Sequence, residues 1–381
     1  GRGFLPPASY GSRIGGVKTR ARFRPARSAG AASAGGSPYA SKAPQALPGC
    51  LVQEKFVTLS LRASTLGWLM TALLLAPTAA AETYVVISTA DNGAVGTLRW
   101  AIEQANATTG LDTILIAVGS DKTLTLKSVT ETPLPLDITE PVTIDSSASP
   151  GLTVTRGFAS ESFEIDAATT WTDLHLASVG GFDLDDDMTF DQATLAGEIT
   201  AEVKGNGTLI KTGAKSLTLS GNNSYSGGTT INEGELIVTA DSLGDGDVTL
   251  ADDTILTFNE TGSGTFTDDI TGTGKVVKDG SGSVTLEKSI FNANDWSGGT
   301  EVKDGTLISK GIGGLPPDSD VSVSSSTAVF EFELDDDEFY GGVISGSGSF
   351  TKSGDGELEL EGLNLYTGGT TITEGSLLIT A

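Results

Sequence analysis

The stretch NNSYSGGTTINEGELIV, from Asn222 to Val238, decides the fold of this 381-residue chain. It combines an Asn-rich turn, an aromatic residue, a Gly pair, alternating β residues, an acidic-Gly turn and an apolar strand. The pattern returns as NANDWSGGTEVKDGTLI from Asn292 to Ile308 and as LNLYTGGTTITEGSLLI from Leu363 to Ile379. Successive Gly pairs are 71 and 70 residues apart. Because this spacing is regular and longer than one supersecondary unit, it indicates a stacked repeat architecture.

Short β runs fill the chain around these copies. From residue 151 to residue 381 almost every segment is a β run bounded by Gly, Asp or Asn. Solenoid coils commonly have roughly 20 to 25 residues, so one repeat unit holds about three coils. The pattern therefore predicts an all-β fold, a parallel β-helix (solenoid), with a β-sandwich as the alternative. The equivalent inward residues of the copies are Leu217, Leu219, Ile231, Leu236 and Val238, then Val284, Leu286, Val302, Leu307 and Ser309, and finally Leu358, Leu360, Ile372, Leu377 and Ile379.

The recurring glycines and aromatic residues are expected to serve coil packing. Glycine permits a positive φ at corners and lets neighbouring backbones approach closely. The turn asparagines are expected to bond backbone or to stack in ladders. A stripe of aromatic residues along the stack is the alternative, because it would offer stacking platforms to sugars. The structural repeat positions are Tyr225, Gly227, Gly228, Gly234, Trp296, Gly298, Gly299, Gly305, Tyr366, Gly368, Gly369 and Gly375.

Two segments precede the repeat region. Residues 1–51 are rich in Arg, Pro, Gly, Ala and Ser, which is typical of a disordered or translated upstream segment, with a basic nucleic-acid arm as the alternative. Residues 52–81 combine Lys55 and Arg62 with the apolar run LGWLMTALLL and a small-residue ending. This arrangement predicts a signal peptide that is cleaved between Ala81 and Glu82, and its apolar core is too short to span a bilayer.

Residues 82–150 read as the entry to the solenoid. A strand from Tyr84 to Ser88 is followed by GTLRWAIEQANATTG. The apolar positions Leu98, Ala101, Ile102 and Ala105 follow helical spacing, so we expect a short amphipathic helix there. Such a helix would cap the open end of the sheet stack, where unpaired strand edges recruit other chains.

Charge and cysteine content exclude several classes of function. The net charge is −26, and ten of the 23 basic residues lie in the first 81, together with a single acid. The remainder carries a formal charge of −35 and repels phosphates, so no nucleic-acid partner is expected. The sole cysteine is Cys50, so no disulfide and no thiolate metal site can form downstream.

Catalytic chemistry is sparse in this sequence. His175 is the only histidine, and Asp173 would share its face, but no distinctive serine motif accompanies them. The acidic runs from Asp185 to Asp187 and from Asp335 to Glu338 indicate solvated turns. Weak Ca²⁺ binding and a carboxylate pair for polysaccharide cleavage are the alternatives. No catalytic residue, cofactor or metal ligand is predicted.

A family resemblance covers the repeat region. The segment GAKSLTLSGNNSYSGGTTINEGELIV from Gly213 to Val238, preceded by GNGTLIKT, resembles the autotransporter-associated β-strand repeat of bacterial type V secreted passengers. The segments from Gly272 to Ser309 and from Gly346 to Thr380 resemble the same element. GTLRWAIEQAN with the downstream DTILI is similar to the N-terminal entry of other secreted parallel β-helix proteins.

The resemblance implies a right-handed parallel β-helix passenger, secreted or at the cell surface of a Gram-negative bacterium. Export would proceed through an outer-membrane β-barrel translocator that is missing from this sequence. The expected role is a non-catalytic scaffold for adhesion to a host or neighbouring-cell receptor or glycan. A β-helical polysaccharide lyase or glycoside hydrolase and a purely structural surface matrix protein are the alternatives. The sequence leaves the receptor, the full length, the true start site and release of the passenger open.

Overall fold

A computed structural model describes residues 80–126, 136–156, 163–176, 181–288, 294–311 and 313–380. The expected upstream segment and most of the expected signal peptide lie outside these residues. Ala81 and Glu82, between which cleavage is expected, lie directly before the first strand.

The described residues form 36 short strands, one α-helix and one 3₁₀ turn. The first part contains β1 Thr83–Val86, α1 Leu98–Ala105, β2 Asp112–Ile116, β3 Thr123–Leu126, β4 Leu136–Ile138, β5 Val142–Asp145, β6 Thr153–Arg156, β7 Phe163–Ile165, β8 Thr169–Thr172, β9 His175–Leu176, β10 Phe182–Leu184, β11 Met188–Asp191 and β12 Gly197–Ile199. The middle part contains β13 Val203–Gly205, β14 Leu209–Thr212, β15 Ser216–Leu219, β16 Ser224–Tyr225, β17 Thr229–Ile231, β18 Glu235–Val238, the 3₁₀ turn Ala240–Ser242, β19 Val248–Leu250, β20 Ile255–Asn259, β21 Ser263–Phe266, β22 Ile270–Gly272, β23 Lys275–Asp279 and β24 Ser283–Glu287. The last part contains β25 Asp295–Trp296, β26 Thr300–Val302, β27 Thr306–Lys310, β28 Val321–Val323, β29 Val329–Glu333, β30 Glu338–Tyr340, β31 Ile344–Gly346, β32 Ser349–Ser353, β33 Glu357–Leu360, β34 Leu365–Tyr366, β35 Thr370–Ile372 and β36 Ser376–Ile379.

The strands stack into a parallel solenoid with three faces. Face 1 is the 10-stranded sheet β1-β2-β5-β8-β11-β14-β17-β19-β22-β25. Nearer the C-terminus, the 3-stranded sheet β30-β33-β36 follows the same position in the order of strands around the coil. Face 2 is the 12-stranded sheet from β3 to β34. Face 3 is the 5-stranded sheet from β4 to β16, followed by the 6-stranded sheet from β21 to β35. The all-β solenoid of about 10 coils confirms the predicted fold class, while its handedness stays a prediction.

Parallel register builds the core as columns of inward side chains. On face 1, Ile114, Ile144, Trp171 and Phe190 occupy one column in four successive coils, and all four are fully buried. The intervening outward residues are polar in most coils, so each strand buries one face and solvates the other. In the part of the chain that the structure describes, every strand pairing is parallel, which is incompatible with the antiparallel sheets of the sandwich alternative.

The expected helix forms at the N-terminal end of the stack. Thr97 caps α1, because its side-chain oxygen accepts a hydrogen bond from the Trp100 backbone N–H. The predicted stripe of Leu98, Ala101, Ile102 and Ala105 is buried. The helix packs against β1 and β2, a position that is consistent with a cap. Within the described ranges, no helix is long and apolar enough to cross a membrane.

The three copies lie on three different faces. The first copy comprises β14 to β18 and begins on face 1, the second comprises β23 to β27 and begins on face 2, and the third comprises β32 to β36 and begins on face 3. One repeat unit therefore comprises three full coils and one further face of the next coil. The sequence predicted about three coils and did not predict the further face. Equivalent residues of the copies do not stack above one another, so the predicted columns are built from different positions.

Candidate functional site

Each copy places a lysine inside the solenoid. Lys211, Lys278 and Lys352 are fully buried, at 0% exposure, although lysine is among the residues least often found inside proteins. Each replaces an apolar residue in an inward column, between a phenylalanine of the preceding coil and an aliphatic residue of the next coil. The flanking pairs in register are Phe190 and Ile231, Phe258 and Val302, and Phe332 and Ile372.

Backbone carbonyls surround each ammonium group. Lys211 Nζ donates to Thr212 O at 2.6 Å, to Gly213 O at 2.7 Å and to Glu233 O of the next coil at 3.0 Å. The corresponding bonds of the other two lysines are Lys278 Nζ with Asp279 O (2.7 Å), Gly280 O (2.8 Å) and Asp304 O (3.2 Å), and Lys352 Nζ with Ser353 O (2.6 Å) and Gly354 O (2.8 Å). The lysines thus satisfy corner carbonyls and, in the first two copies, tie one coil to the next.

Burial lowers the pKa of Lys211 to about 8, and the carboxylates of Asp191 and Glu233 oppose this shift. Burial lowers the pKa of Lys278 and of Lys352 as well, again against neighbouring carboxylates. With a pKa of about 8, most Lys211 side chains are protonated at neutral pH, so Nζ has three N–H donors for three carbonyl acceptors.

An asparagine in the turn before the aromatic residue bridges coils in two directions. Asn223 Oδ1 accepts from Val203 N of the preceding coil at 2.8 Å, and Nδ2 donates to Ser242 O of the following coil at 2.5 Å. The corresponding bonds of the other copies are Asn294 with Ile270 N (2.8 Å) and Gly314 O (2.9 Å), and Asn364 with Ile344 N (2.9 Å) and with Gly362 O of its own turn (2.8 Å). The asparagines bond backbone, one of the two roles expected from the sequence.

We expect Asn223→Ala to destabilise the protein by about 2 kcal/mol, because it leaves one backbone N–H and one backbone carbonyl of adjoining coils without partners. Asn222→Ala is the matched control, since Asn222 is the exposed neighbour. Urea unfolding followed by circular dichroism measures both changes. Equal stability of the two variants would remove the bridging role.

The first glycine of each pair lies against the backbone of the preceding coil. A Cβ at Gly227 would lie 2.4 Å from the carbonyl carbon of Gly207. The equivalent Cβ at Gly298 would lie 2.4 Å from Gly274 O, and that at Gly368 2.4 Å from Gly348 C. Glycine therefore stacks on glycine in all three copies.

The other predicted glycines turn the chain. Each adopts the left-handed backbone conformation in which a side chain is strained. Their φ angles are 80° for Gly228 and Gly299, 96° for Gly369, 74° for Gly234, 65° for Gly305 and 69° for Gly375.

The three aromatic residues occupy three separate sheets. Tyr225 and Trp296 are buried and Tyr366 is partly buried. Each bonds the threonine four residues further on: the pairs are Tyr225 with Thr229 (2.7 Å), Trp296 with Thr300 (3.2 Å) and Tyr366 with Thr370 (2.6 Å). They lie on β16, β25 and β34, so they do not form the sugar-binding stripe considered from the sequence.

His175 and Asp173 do not form an acid–base pair through their side chains. His175 lies on β9, in register with Glu198. The Asp173 carboxylate accepts hydrogen bonds from the backbone of Thr194 and Leu195 and from the Thr194 hydroxyl, all in the next coil. Asp173 therefore fixes a turn.

The aspartates of both acidic runs are exposed, and only Glu338, at the end of the second run, is partly buried. The run from Asp185 to Asp187 is exposed, as expected for a solvated turn. Glu338, in contrast, pairs in register with the fully buried Leu358, so its side chain points inward. Burial, with a smaller contribution from the charge of Asp336, raises the pKa of Glu338 to about 7. Among the described residues, no group of three or more His, Cys, Asp or Glu side chains is placed to hold a metal ion.

We expect this inward carboxyl to make stability fall between about pH 4.5 and pH 7. In that window the folded protein keeps a proton on Glu338, whose pKa is about 7, while the unfolded chain, with an ordinary pKa of 4.5, has released it. Glu338→Gln should flatten this part of the pH profile of the melting temperature. Glu359→Gln, on the adjoining strand β33, is the control. An unchanged slope in Glu338→Gln would contradict the assignment.

The buried lysines and the carbonyls around their ammonium groups were not predicted from the sequence, although the sequence contains a pattern that marks them. Each lysine lies in the pattern G-x-G-x-Φ-x-K-x-G, in which x is any residue and Φ is Leu, Val or Phe. The three instances are GNGTLIKTG, GTGKVVKDG and GSGSFTKSG. Recurrence of a lysine at the same step before a glycine corner is the feature that would have identified the group.

These observations define the class of protein as a parallel β-solenoid whose repeat braces adjoining coils. The family model of the passenger-associated-transport-repeat matches residues 209–238, 276–308 and 350–379. The chain therefore carries three copies of this repeat, the repeat family of autotransporter passenger domains, as the sequence predicted. Neither a curated protein nor a solved structure matches the chain.

Proposed function

We propose that the chain is a non-catalytic passenger scaffold at the surface of a Gram-negative bacterium and that it acts in adhesion or surface interaction. The observation that carries this proposal is the presence of three passenger repeats within one continuous parallel ladder. A passenger scaffold follows from the repeat family and the fold. The adhesive role and the lack of catalysis are the proposal.

The physical basis is a rigid stack that presents irregular segments. About 10 coils, each rising about 4.8 Å, give a stack of about 50 Å. The ladder loses a strand at two corners, around the 3₁₀ turn Ala240–Ser242 and over residues 313–320. These irregular corners are where we place receptor or glycan contacts, because loops on a rigid scaffold commonly carry binding residues.

Export completes the proposal. Residues 52–81 would act as the signal peptide, with cleavage between Ala81 and Glu82. The autotransporter family implies an outer-membrane translocator as the partner in secretion. The lack of cysteine after Cys50 suits a chain that crosses the envelope unfolded, since no disulfide can close a loop.

Adhesion of whole cells tests the function. Cells that display the passenger on its own translocator are compared with cells that carry the translocator alone and with cells whose passenger has residues 313–320 replaced by a Gly-Ser segment. We expect adherence to fall in both comparisons. Unchanged adherence would favour a structural matrix protein, and turnover of a polysaccharide panel by the purified passenger would favour an enzyme.

A further inference from the structure

We propose that the solenoid between residues 203 and 343 consists of two braced, charge-balanced blocks and two acidic connecting segments, and that the connecting segments open first, under the control of ionic strength. The inference concerns how the scaffold opens, so it does not depend on the identity of a receptor.

The asparagine bridges define the blocks. Block 1 extends from Val203 to Ser242, the two residues that Asn223 joins, and block 2 extends from Ile270 to Gly314, which Asn294 joins. A third block begins at Ile344, the backbone partner of Asn364. Between them lie connector 1, residues 243–269, and connector 2, residues 315–343.

The buried lysines brace the first two blocks internally. Lys211 reaches Glu233 O and Lys278 reaches Asp304 O, in each case on the next coil of the same block. No side chain of the connectors, among the residues that the structure describes, bonds the backbone of both adjoining coils. The connector side chains bond their own turn, as Thr254 does with Ala251 O at 2.7 Å, or a single neighbouring coil, as Asp320 does with Val343 N at 2.9 Å.

Charge follows the same division for the first two blocks, whereas the third block, from Ile344 onward, contains one basic and five acidic residues. Block 1 contains three basic and three acidic residues, and block 2 contains five of each, so both are neutral. Connector 1 contains seven acidic residues and connector 2 contains eight, and neither contains Lys, Arg or His. Like charges held on adjoining coils repel one another, and salt screens this repulsion over a Debye length. The connectors therefore combine fewer braces than the two blocks with a large excess of acidic charge, of which, in the described part of the chain, only Asp269 and Glu333 pair with lysines of block 2, Lys288 and Lys310.

The geometry of the corners adds to this difference. Each connector is preceded or begun by an irregular corner, where face 3 or face 1 lacks a strand. In repeat arrays, stability is a sum of local and nearest-neighbour contributions, so weak segments open independently of strong ones.

Hydrogen exchange on the full chain tests the proposal. We expect backbone amides of the connectors to exchange at least tenfold faster than those of the blocks in about 10 mM NaCl. Raising NaCl to about 500 mM should slow connector exchange severalfold and leave the blocks within about twofold. Uniform exchange along the solenoid, or equal salt effects in blocks and connectors, would overturn the proposal.

A variant pair tests the lysine brace in the same measurement. Lys278→Met should accelerate exchange in block 2 by roughly ten- to a hundredfold, as read at the Lys303 amide, which donates to Lys278 O at 2.9 Å. The matched control is Lys275→Met on the same strand, because Lys275 makes only a partly exposed ion pair with Glu301. Equal acceleration in block 1 and block 2 would contradict a local brace. If Lys278→Met does not fold, the salt comparison on the natural chain decides alone.

Discussion

Lys211→Met is expected to lower the free energy of unfolding by about 3 to 5 kcal/mol. Methionine has similar length and restores an apolar residue to the column between Phe190 and Ile231. It also removes the cost of burying a charge, and replacement of buried ion pairs by apolar residues is often neutral for that reason. Here the partners are three backbone carbonyls, one of them in a buried bond and two in partly buried bonds, and all three lose their donor because methionine cannot donate a hydrogen bond. The loss of these hydrogen bonds outweighs the avoided cost of burying a charge, so the substitution is expected to be destabilising.

The matched control is Lys215→Met, four residues further on, where the side chain is exposed. We expect this control to change stability by less than about 0.5 kcal/mol. Urea and thermal unfolding followed by circular dichroism compare the two variants. If Lys211→Met is as stable as Lys215→Met, the hydrogen bonds from Lys211 Nζ to the three carbonyls contribute nothing to stability.

The solenoid itself was predictable because its determinants are local. Glycine and asparagine at regular corners, β runs of a few residues and one helical stripe before them specify strands, turns and a cap without long-range information. The helix at Leu98–Ala105 and the parallel stack both follow from such patterns. The family resemblance had the same origin, because the quoted segments are the corners and strands of the coil.

The phase of the repeat was not predictable from its length. Successive coils differ in length, since Met188 pairs with Leu209, Leu209 with Thr229, Thr229 with Val248 and Val248 with Ile270, which are steps of 21, 20, 19 and 22 residues. A unit of 70 or 71 residues is therefore compatible with three coils or with three coils plus one face. Only the pairing register separates the two, and it shows that the aromatic and lysine positions turn to a new face in each copy.

The buried lysines were missed because average behaviour places lysine at the surface. Side chains alternate between the two faces of a strand, so Lys211 lies on the opposite face from Ile210 and Thr212. The alternation alone does not show which of the two faces points inward. Only the cluster of corner carbonyls, which arises from the glycine turns after each lysine, makes the interior position favourable. That environment is a property of the folded corner, and a single copy of the sequence does not display it.

The sequence and the geometry assign the same role to the glycine pairs, the close approach of adjoining coils. Gly227 is exposed at its outer side, yet its α-carbon faces the preceding coil. A Cβ there would lie 2.4 Å from both the carbonyl carbon and the carbonyl oxygen of Gly207, and 2.7 Å from Asn206 O. These neighbours are backbone, so they can yield only if the coils separate.

Gly227→Ala is therefore expected to destabilise the solenoid by about 3 kcal/mol or more, which is the upper range for overpacking. Gly262→Ala is the matched control, since the nearest atom to its Cβ would be the flexible Glu260 side chain, at 3.5 Å. That control should stay within about 0.5 kcal/mol of the natural chain. Separation of the coils in Gly227→Ala would weaken the ladder hydrogen bond from Leu209 N to Gly228 O (3.1 Å). Thermal unfolding of the two variants measures the loss of stability. Equal melting temperatures would mean that the Gly pair, although it recurs in all three copies, is not required for coil packing.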